Sequence, residues 1–520
     1  MKDRTPTRRA VVRGALALAA AAAFRPGRVR AAAPPRFIDD PFALGIASGS
    51  PRADGMSLWT RLAPAPFDPT GGMEPDNVTV KWEVAEDEKF DKVVAAGETT
   101  AFPENAHSVR ADVFGLAPSR WYHYRFHAGK ARSPIGRTRT ADAPGAKTEK
   151  LRFAVAACQH FEHGWYVAHR HMLADEPDLV LFLGDYIYEK PISGETLVRR
   201  HFGEECTTLA DYRIRYAQYK TDRDLQALHA NVPWECVWDD HEVDNDWAGD
   251  QSEHLDPQFL TRRTAAFQAY LEHLPFPSNV RLRNGGVRLY RDVTYGDLAH
   301  FVLLDDRQYR SPQACPDPAK GGGSNSLPRS QCAEIDDANR TLLGDEQKTW
   351  LDGALRSSAR WTVLAQQTLV SPAARGVGPD RVIWTDGWDG YPAERSWLTR
   401  TLAKRKPPNP IVVGGDIHAS VVANLHRDPE DTGTEVVASE FCSTSITSAG
   451  DDRYKPDALP HDNPNVQYAS FAQRGYTLLD LTRDRCDVRL RSVDEKDPKS
   501  KVETSVAFAV EAGRAGTQRA

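Results

Sequence analysis

No stretch of this 520-residue chain is long and apolar enough to cross a bilayer as a helix; the Ala/Leu stretch Gly14 to Phe24 is roughly half of what spanning requires. No internal repeat is present, and the length leaves room for two domains and a large core. Positive charge is not in surplus. Against 72 Asp and Glu stand 66 Lys and Arg, a net charge of -6, so no overall basic surface tracks nucleic acid, although a local basic cleft stays open. Neither a Gly-x-Ser-x-Gly elbow nor a Walker-type phosphate loop occurs, which speaks against a serine hydrolase and an ATPase. Cysteines number only seven, so an exported form leaves at least one thiol unpaired unless chains are linked. Cys315 and Cys332 bracket the flexible loop Pro316 to Ser326 and are the expected pair.

What is present begins with Thr7-Arg8-Arg9-Ala10-Val11-Val12-Arg13, a short apolar middle and the small residues Ala31 to Ala33. This is the pattern of a twin-arginine signal peptide over residues 1–31, which predicts a periplasmic or secreted protein with the twin-arginine machinery as its export partner. A basic amphipathic helix that stays attached is the competing reading, disfavoured by the unbroken Ala/Leu middle. Export in the folded state suits a chain that acquires metal before it leaves.

Residues 37–145 alternate apolar and polar side chains in short runs, such as Val78-Thr-Val80-Lys-Trp82-Glu-Val84, and predict an N-terminal β-sandwich. After a polar linker near Ala143 to Glu149, residues 150–495 switch to strands alternating with helices, an α/β domain. Residues 496–520 read as a polar, mobile tail.

Three apolar runs of the α/β region stop on aspartate: Leu179 to Asp185, Val237 to Asp240, and Ile411 to Asp416. Such runs predict buried strands whose last residues emerge at one sheet edge, where α/β proteins place their ligands. Carboxylates crowded there need a counter-charge, and a multivalent cation is the plainest one. Cys158, Tyr188 and His418 lie at the same strand ends, and a set mixing thiolate, phenolate, imidazole and carboxylate argues for unlike metals, with Asp185 placed to bridge them. The segment Asp244 to Leu255 begins like a calcium-binding loop but has Ala248 and Leu255 where ligands are needed. His160 and His163 are expected outside the metal shell, and Trp384 to Tyr391 at the cleft entrance.

Together, Ala156-Ala-Cys158-Gln159, Gly184-Asp-Tyr-Ile-Tyr188-Glu189, Trp238-Asp-Asp240-His241-Glu242, Asp305-Asp-Arg307-Gln-Tyr-Arg310 and Gly415-Asp416-Ile-His418-Ala-Ser420 resemble, in order, the PhoD-type alkaline phosphatases and phosphodiesterases of the metallophosphoesterase superfamily. The resemblance implies a four-layer αββα catalytic domain behind the β-sandwich. It implies Fe3+ held by Cys158, Asp185, Tyr188 and His418, and Ca2+ held by Asp185, Asp240 and Asp416. It further implies attack on phosphorus by a metal-bridging oxide or hydroxide, with His241 at a phosphoryl oxygen or the leaving group and Arg307 stabilising charge on the equatorial oxygens. The expected substrates are small phosphate mono- and diesters, the expected state a monomer. Phospholipase D-like cleavage of phospholipids is the enzymatic alternative, and a surface binding protein with an inactive scaffold the alternative outside catalysis.

Overall fold

The structure is a computed structural model that describes residues 35–192, 197–450 and 458–520. The signal peptide expected over residues 1–31 lies outside the described residues. Phe37 to Ala520 form one compact unit.

Among the described residues, its centre is a pair of sheets. The larger has ten strands in the order Gln518–Arg519, Glu503–Glu511, Arg485–Val493, Arg474–Thr482, Lys150–Ala156, Leu179–Leu183, Trp234–Val237, Ile46–Arg52, Gly55–Arg61 and Ser108–Val113. The smaller has seven, in the order Arg291–Tyr295, Ala299–Leu303, Trp361–Ala365, Pro410–Gly414, Val436–Cys442, Ser420–His426 and Val466–Ser470. The central strands are buried along their whole length, as in Leu179-Val-Leu-Phe-Leu183, because both faces of a parallel sheet are covered. Phe153, Leu181, Leu183 and Leu479 of one sheet meet Phe301, Val363, Val413 and Phe441 of the other in a shared core. The far face of the large sheet packs Val180, Phe182 and Trp234 on helices Val167–Ala174, Leu209–Lys220, Arg223–Asn231 and Phe259–His273. The far face of the small sheet packs Val302, Leu364 and Val412 on helices Gly344–Ala354 and Pro392–Arg405. The result is the expected αββα order.

Two expectations are corrected. Residues 37–145 do form a sandwich, with Met56, Leu58 and Val109 facing Val80, Tyr124 and Phe126. One of its sheets, however, is the end of the large catalytic sheet, because Ile46–Arg52 lies parallel to Trp234–Val237 with Gly49 opposite Trp234. The N-terminal region therefore shares backbone pairing with the catalytic layers. Residues 496–520 are not a loose tail: Glu503–Glu511 pairs along Arg485–Val493, and Val506, Phe508 and Val510 are buried. Alternation with polar neighbours makes the segment look hydrophilic on average while one face is apolar. Cys315 and Cys332 are joined as a disulfide, with Cα atoms 6.0 Å apart, and the other five cysteines are free and buried.

Candidate metal centre

Lys150–Ala156, Leu179–Leu183 and Trp234–Val237 run parallel in the large sheet. Ala299–Leu303, Trp361–Ala365 and Pro410–Gly414 run parallel in the small one. The chain leaves each strand at its C-terminal end, and a cleft of ≈ 330 Å³ is lined there by Asp185, Asp240 and His241 from the large sheet and by Asp416 and His418 from the small one. Each sheet supplies part of one site.

The backbone at these strand ends is bent into the left-handed region at Cys158 (φ 57°), Asp185 (φ 56°), Asp416 (φ 65°) and His418 (φ 51°). For residues with a Cβ that region costs of order 1–3 kcal/mol each and persists where the surroundings impose it. Gly184, at φ 105°, has a stricter reason, since a Cβ there would lie 2.3 Å from that of Asp239. Glu242 locks the two strand ends together: its buried carboxylate accepts the backbone N–H groups of Asp185 (3.1 Å), Tyr186 (2.6 Å) and Asp239 (2.9 Å).

The expected ligands Cys158, Asp185, His418 and Asp240, together with His241, which was expected at the phosphoryl group, fall into two overlapping groups. Cys158, Asp185 and His418 present ligand atoms that all lie within 4.8 Å of one another, and so do Asp185, Asp240 and His241. Asp185 is common to both. Tyr188 joins the first group, its hydroxyl donating to Asp185 Oδ2 (2.8 Å) and lying 3.1 Å from His418 Nε2. Asp416 lines the cleft beside the second, and its buried Oδ2 makes no hydrogen bond, as a carboxylate awaiting a cation would. His241 Nδ1 lies 2.6 Å from Glu189 Oε2, which leaves its Nε2 for the cleft.

Electrostatics separate the groups. Burial, with the charges of Asp185 and Asp416 added, pushes the Cys158 thiol well above its usual range. Burial, with Arg474, lowers His418 to about 3, so its imidazole is neutral and able to ligate. Burial raises Asp416 far above a normal carboxylate, with Asp239 and Asp240 adding to it. It raises Asp185 likewise, His241 opposing and Asp240 reinforcing. Asp240 goes the other way: burial pushes it up, but Arg307 and His241 outweigh that and hold it ionised. A thiolate and several carboxylates ionised together in this space require positive charge from outside the chain, and this donor set fits metal ions.

Arg307 departs from expectation. It is fully buried and absent from the cleft lining, with Nε donating to Asp239 Oδ1 (2.5 Å) and Nη1 to Asp386 Oδ1 (2.9 Å). Its fork is spent on two carboxylates, so it neutralises the acidic wall and does not face substrate. Asp386 was hidden in the aromatic segment Trp384 to Tyr391; Trp384 and Trp388 do line the cleft, but Tyr391 is buried and donates to the carbonyl of Ser311 (2.6 Å). Ser448 went unrecognised too: its hydroxyl lies 2.7 Å from that of Tyr188, and no local pattern marks it. Glu189 was readable only by its place directly after Tyr188. Asp246, from the failed calcium-loop motif, lines the cleft and donates its backbone N–H to Asp240 Oδ2 (2.8 Å). His160 is buried, its ring 4.3 Å from that of Tyr188.

Comparison with known proteins agrees with this geometry. The PhoD-like phosphatase family model matches residues 153–490, and the model of that family's N-terminal domain matches residues 28–142. Alkaline phosphatase D of Bacillus subtilis (strain 168) is 41% identical over 535 aligned residues, which cover all of this chain and 90% of the relative. The solved structure of PhoD superposes with a TM-score of 0.88 at 41% identity, over 93% of each chain. Matched in both of its regions and along its whole length, the chain belongs to the PhoD-like phosphatase family and is a phosphoric ester hydrolase.

Proposed function

We propose that the protein is an exported, metal-dependent alkaline phosphatase and phosphodiesterase whose centre holds two unlike kinds of ion. Cys158, Asp185, Tyr188 and His418 would hold Fe3+, and Asp185, Asp240 and Asp416 would hold Ca2+. The observation that carries this reading is the membership of Asp185 in both ligand groups, which is what a bridging carboxylate requires. When bound, the cations supply Lewis acidity for a phosphoryl oxygen and lower the pKa of water.

The chain's own groups set the orientation. Glu189 holds His241 by Nδ1 and so turns Nε2 toward the cleft, where it meets a phosphoryl oxygen or the leaving-group oxygen. Arg307 compensates Asp239 and Asp386 and, with Nη2 3.8 Å from Asp240 Oδ2, helps keep that carboxylate ionised for the metal. Leu369, Trp384 and Phe471 add apolar side chains to the lining of the same cleft, which supports esters carrying an apolar group and keeps phospholipid diesters as the second reading.

Export by the twin-arginine route to the periplasm or beyond, action as a monomer, and small phosphate esters as substrates complete the proposal. Turnover of nitrophenyl phosphate, bis-nitrophenyl phosphate and phosphatidylcholine should be compared, with iron and calcium measured in protein purified from its exporting host. Release from the first two with both metals present is expected. No release from the monoester would remove the phosphatase reading, and absence of both metals would remove the proposed centre.

A further inference from the structure

Between Leu183 and Leu209 the described chain forms no helix or strand, yet Tyr188 is held in place inside it. The hold comes from the helix Leu209–Lys220, which Thr208 and Asp211 begin with a capping box. Arg215 and Tyr219 are four residues apart and so share one face of that helix. The Arg215 guanidinium donates to the carbonyl of Tyr188 and, at 2.8 Å, to that of Glu204. Tyr219 Oη accepts the N–H of Tyr188 at 3.0 Å. One helix face thus grips both polar ends of the Tyr188 residue, and both gripping side chains are buried.

Tyr219 also reaches the other ligand loop. Its Oη accepts the N–H of Phe161 at 3.2 Å, just beyond Cys158. Two N–H donors fill the lone pairs of the phenol oxygen, so its proton goes to His201 Nε2, 3.0 Å away. His201 Nδ1 in turn lies 3.2 Å from Glu162, whose carboxylate accepts the N–H groups of Ile192 (2.7 Å) and His201 (2.9 Å). The tyrosine therefore has a fixed rotor and a fixed proton.

We propose that Arg215 and Tyr219 are positioning residues of the metal centre: by clamping the backbone of Tyr188, and that of Phe161 after Cys158, they set the Tyr188 oxygen between Asp185 and His418. The proposal deepens the reading of Tyr188 as a ligand and rests on it.

Tyr219→Phe removes one oxygen and leaves the ring. Tyr216→Phe, on the same helix, is the control, because the Tyr216 hydroxyl is buried and has no hydrogen-bond partner. In the full-length enzyme with its native metals, amide hydrogen exchange at Phe161 and Tyr188 should accelerate at least roughly tenfold in Tyr219→Phe. The ferric–phenolate absorption should move, and kcat should fall roughly tenfold to a hundredfold with iron retained and KM little changed, the size typical of lost support behind a ligand. Tyr216→Phe should do none of this. Unchanged exchange and absorption in Tyr219→Phe, or equal changes in both variants, would overturn the clamp. A wild-type enzyme without iron would end the ferric reading instead, and the exchange rates would still decide on the clamp.

Discussion

The two halves of the site solve the same charge problem in opposite ways. On the Cys158 side, burial pushes the Cys158, Tyr188 and Asp185 groups toward their protonated forms and His418 toward its neutral one, so these donors lean to uncharged forms before a cation arrives. On the Asp240 side stand Asp239, Asp240, Asp246 and Asp386, all buried, with Asp416 beside them, and the arginines Arg307 and Arg310 as built-in compensation. The first half can assemble without metal at small electrostatic cost; the second depends on cations to relieve repulsion.

The comparison breaks completely if its shared member is removed. Asp185→Ala takes the one carboxylate common to both groups, so iron and calcium should be lost together and turnover should fall by more than about a thousandfold. Metal analysis beside the kinetic assay tests it, and retention of iron with full turnover would show that the bridge lies elsewhere. Arg307→Met attacks only the acidic half. It strands Asp239, while Asp386 keeps Arg310, and removing one partner of a buried pair costs about 3–5 kcal/mol, so urea denaturation should show a loss of that order. Normal stability with a lowered kcat would return Arg307 to a substrate-facing role.

Part of this difference was legible in the sequence. Parallel strands covered on both faces read as unbroken apolar runs, and the acids that end them therefore marked the sheet edge at Asp185, Asp240 and Asp416. Donor chemistry then separated Cys158, Tyr188 and His418 from the carboxylates. Direction was not legible. Arg307 follows two aspartates in sequence, but its fork closes on Asp239 and Asp386 from distant segments, 68 and 79 residues away, and nothing local announces that. Ser448 and Tyr219 act through single oxygens set by tertiary packing. The C-terminal strand was missed because Val506, Phe508 and Val510 are spread among polar residues, where period-two alternation counts for more than mean polarity.

The acidic half should also show its need for cations as a pH dependence. In metal-free protein Asp239 and Asp246 are both raised from 3.8 to about 6, in each case by burial first, opposed at Asp239 by Arg307 and reinforced at Asp246 by Asp386. Groups raised in this way bind more protons folded than unfolded, so stability is greatest below pH 4 for this contribution and is lost as pH rises through about 6. Asp246 alone corresponds to on the order of 3 kcal/mol by pH 8. Chelator-treated protein should therefore melt lower at pH 8 than at pH 5, and calcium should restore much of the difference. Equal melting of the metal-free form at both values would mean that the acids are compensated from within the chain.

The mixed half predicts a smaller and more selective effect. Cys158→Ser keeps the size of the side chain and exchanges a soft donor for a hydroxyl, which touches only the first ligand group. Iron affinity should fall roughly tenfold to a hundredfold and the ferric–phenolate absorption of Tyr188 should shift, while bound calcium stays as in the wild type. Dialysis against graded chelator, with both metals counted, separates the cases. If calcium is lost in step with iron, the halves are coupled through more than Asp185, because a change on the Cys158 side would then have reached Asp240 and Asp416 without touching the bridge. If iron stays and only the absorption moves, the thiolate tunes the metal without being needed to hold it, and the burden of retention falls on Asp185, Tyr188 and His418.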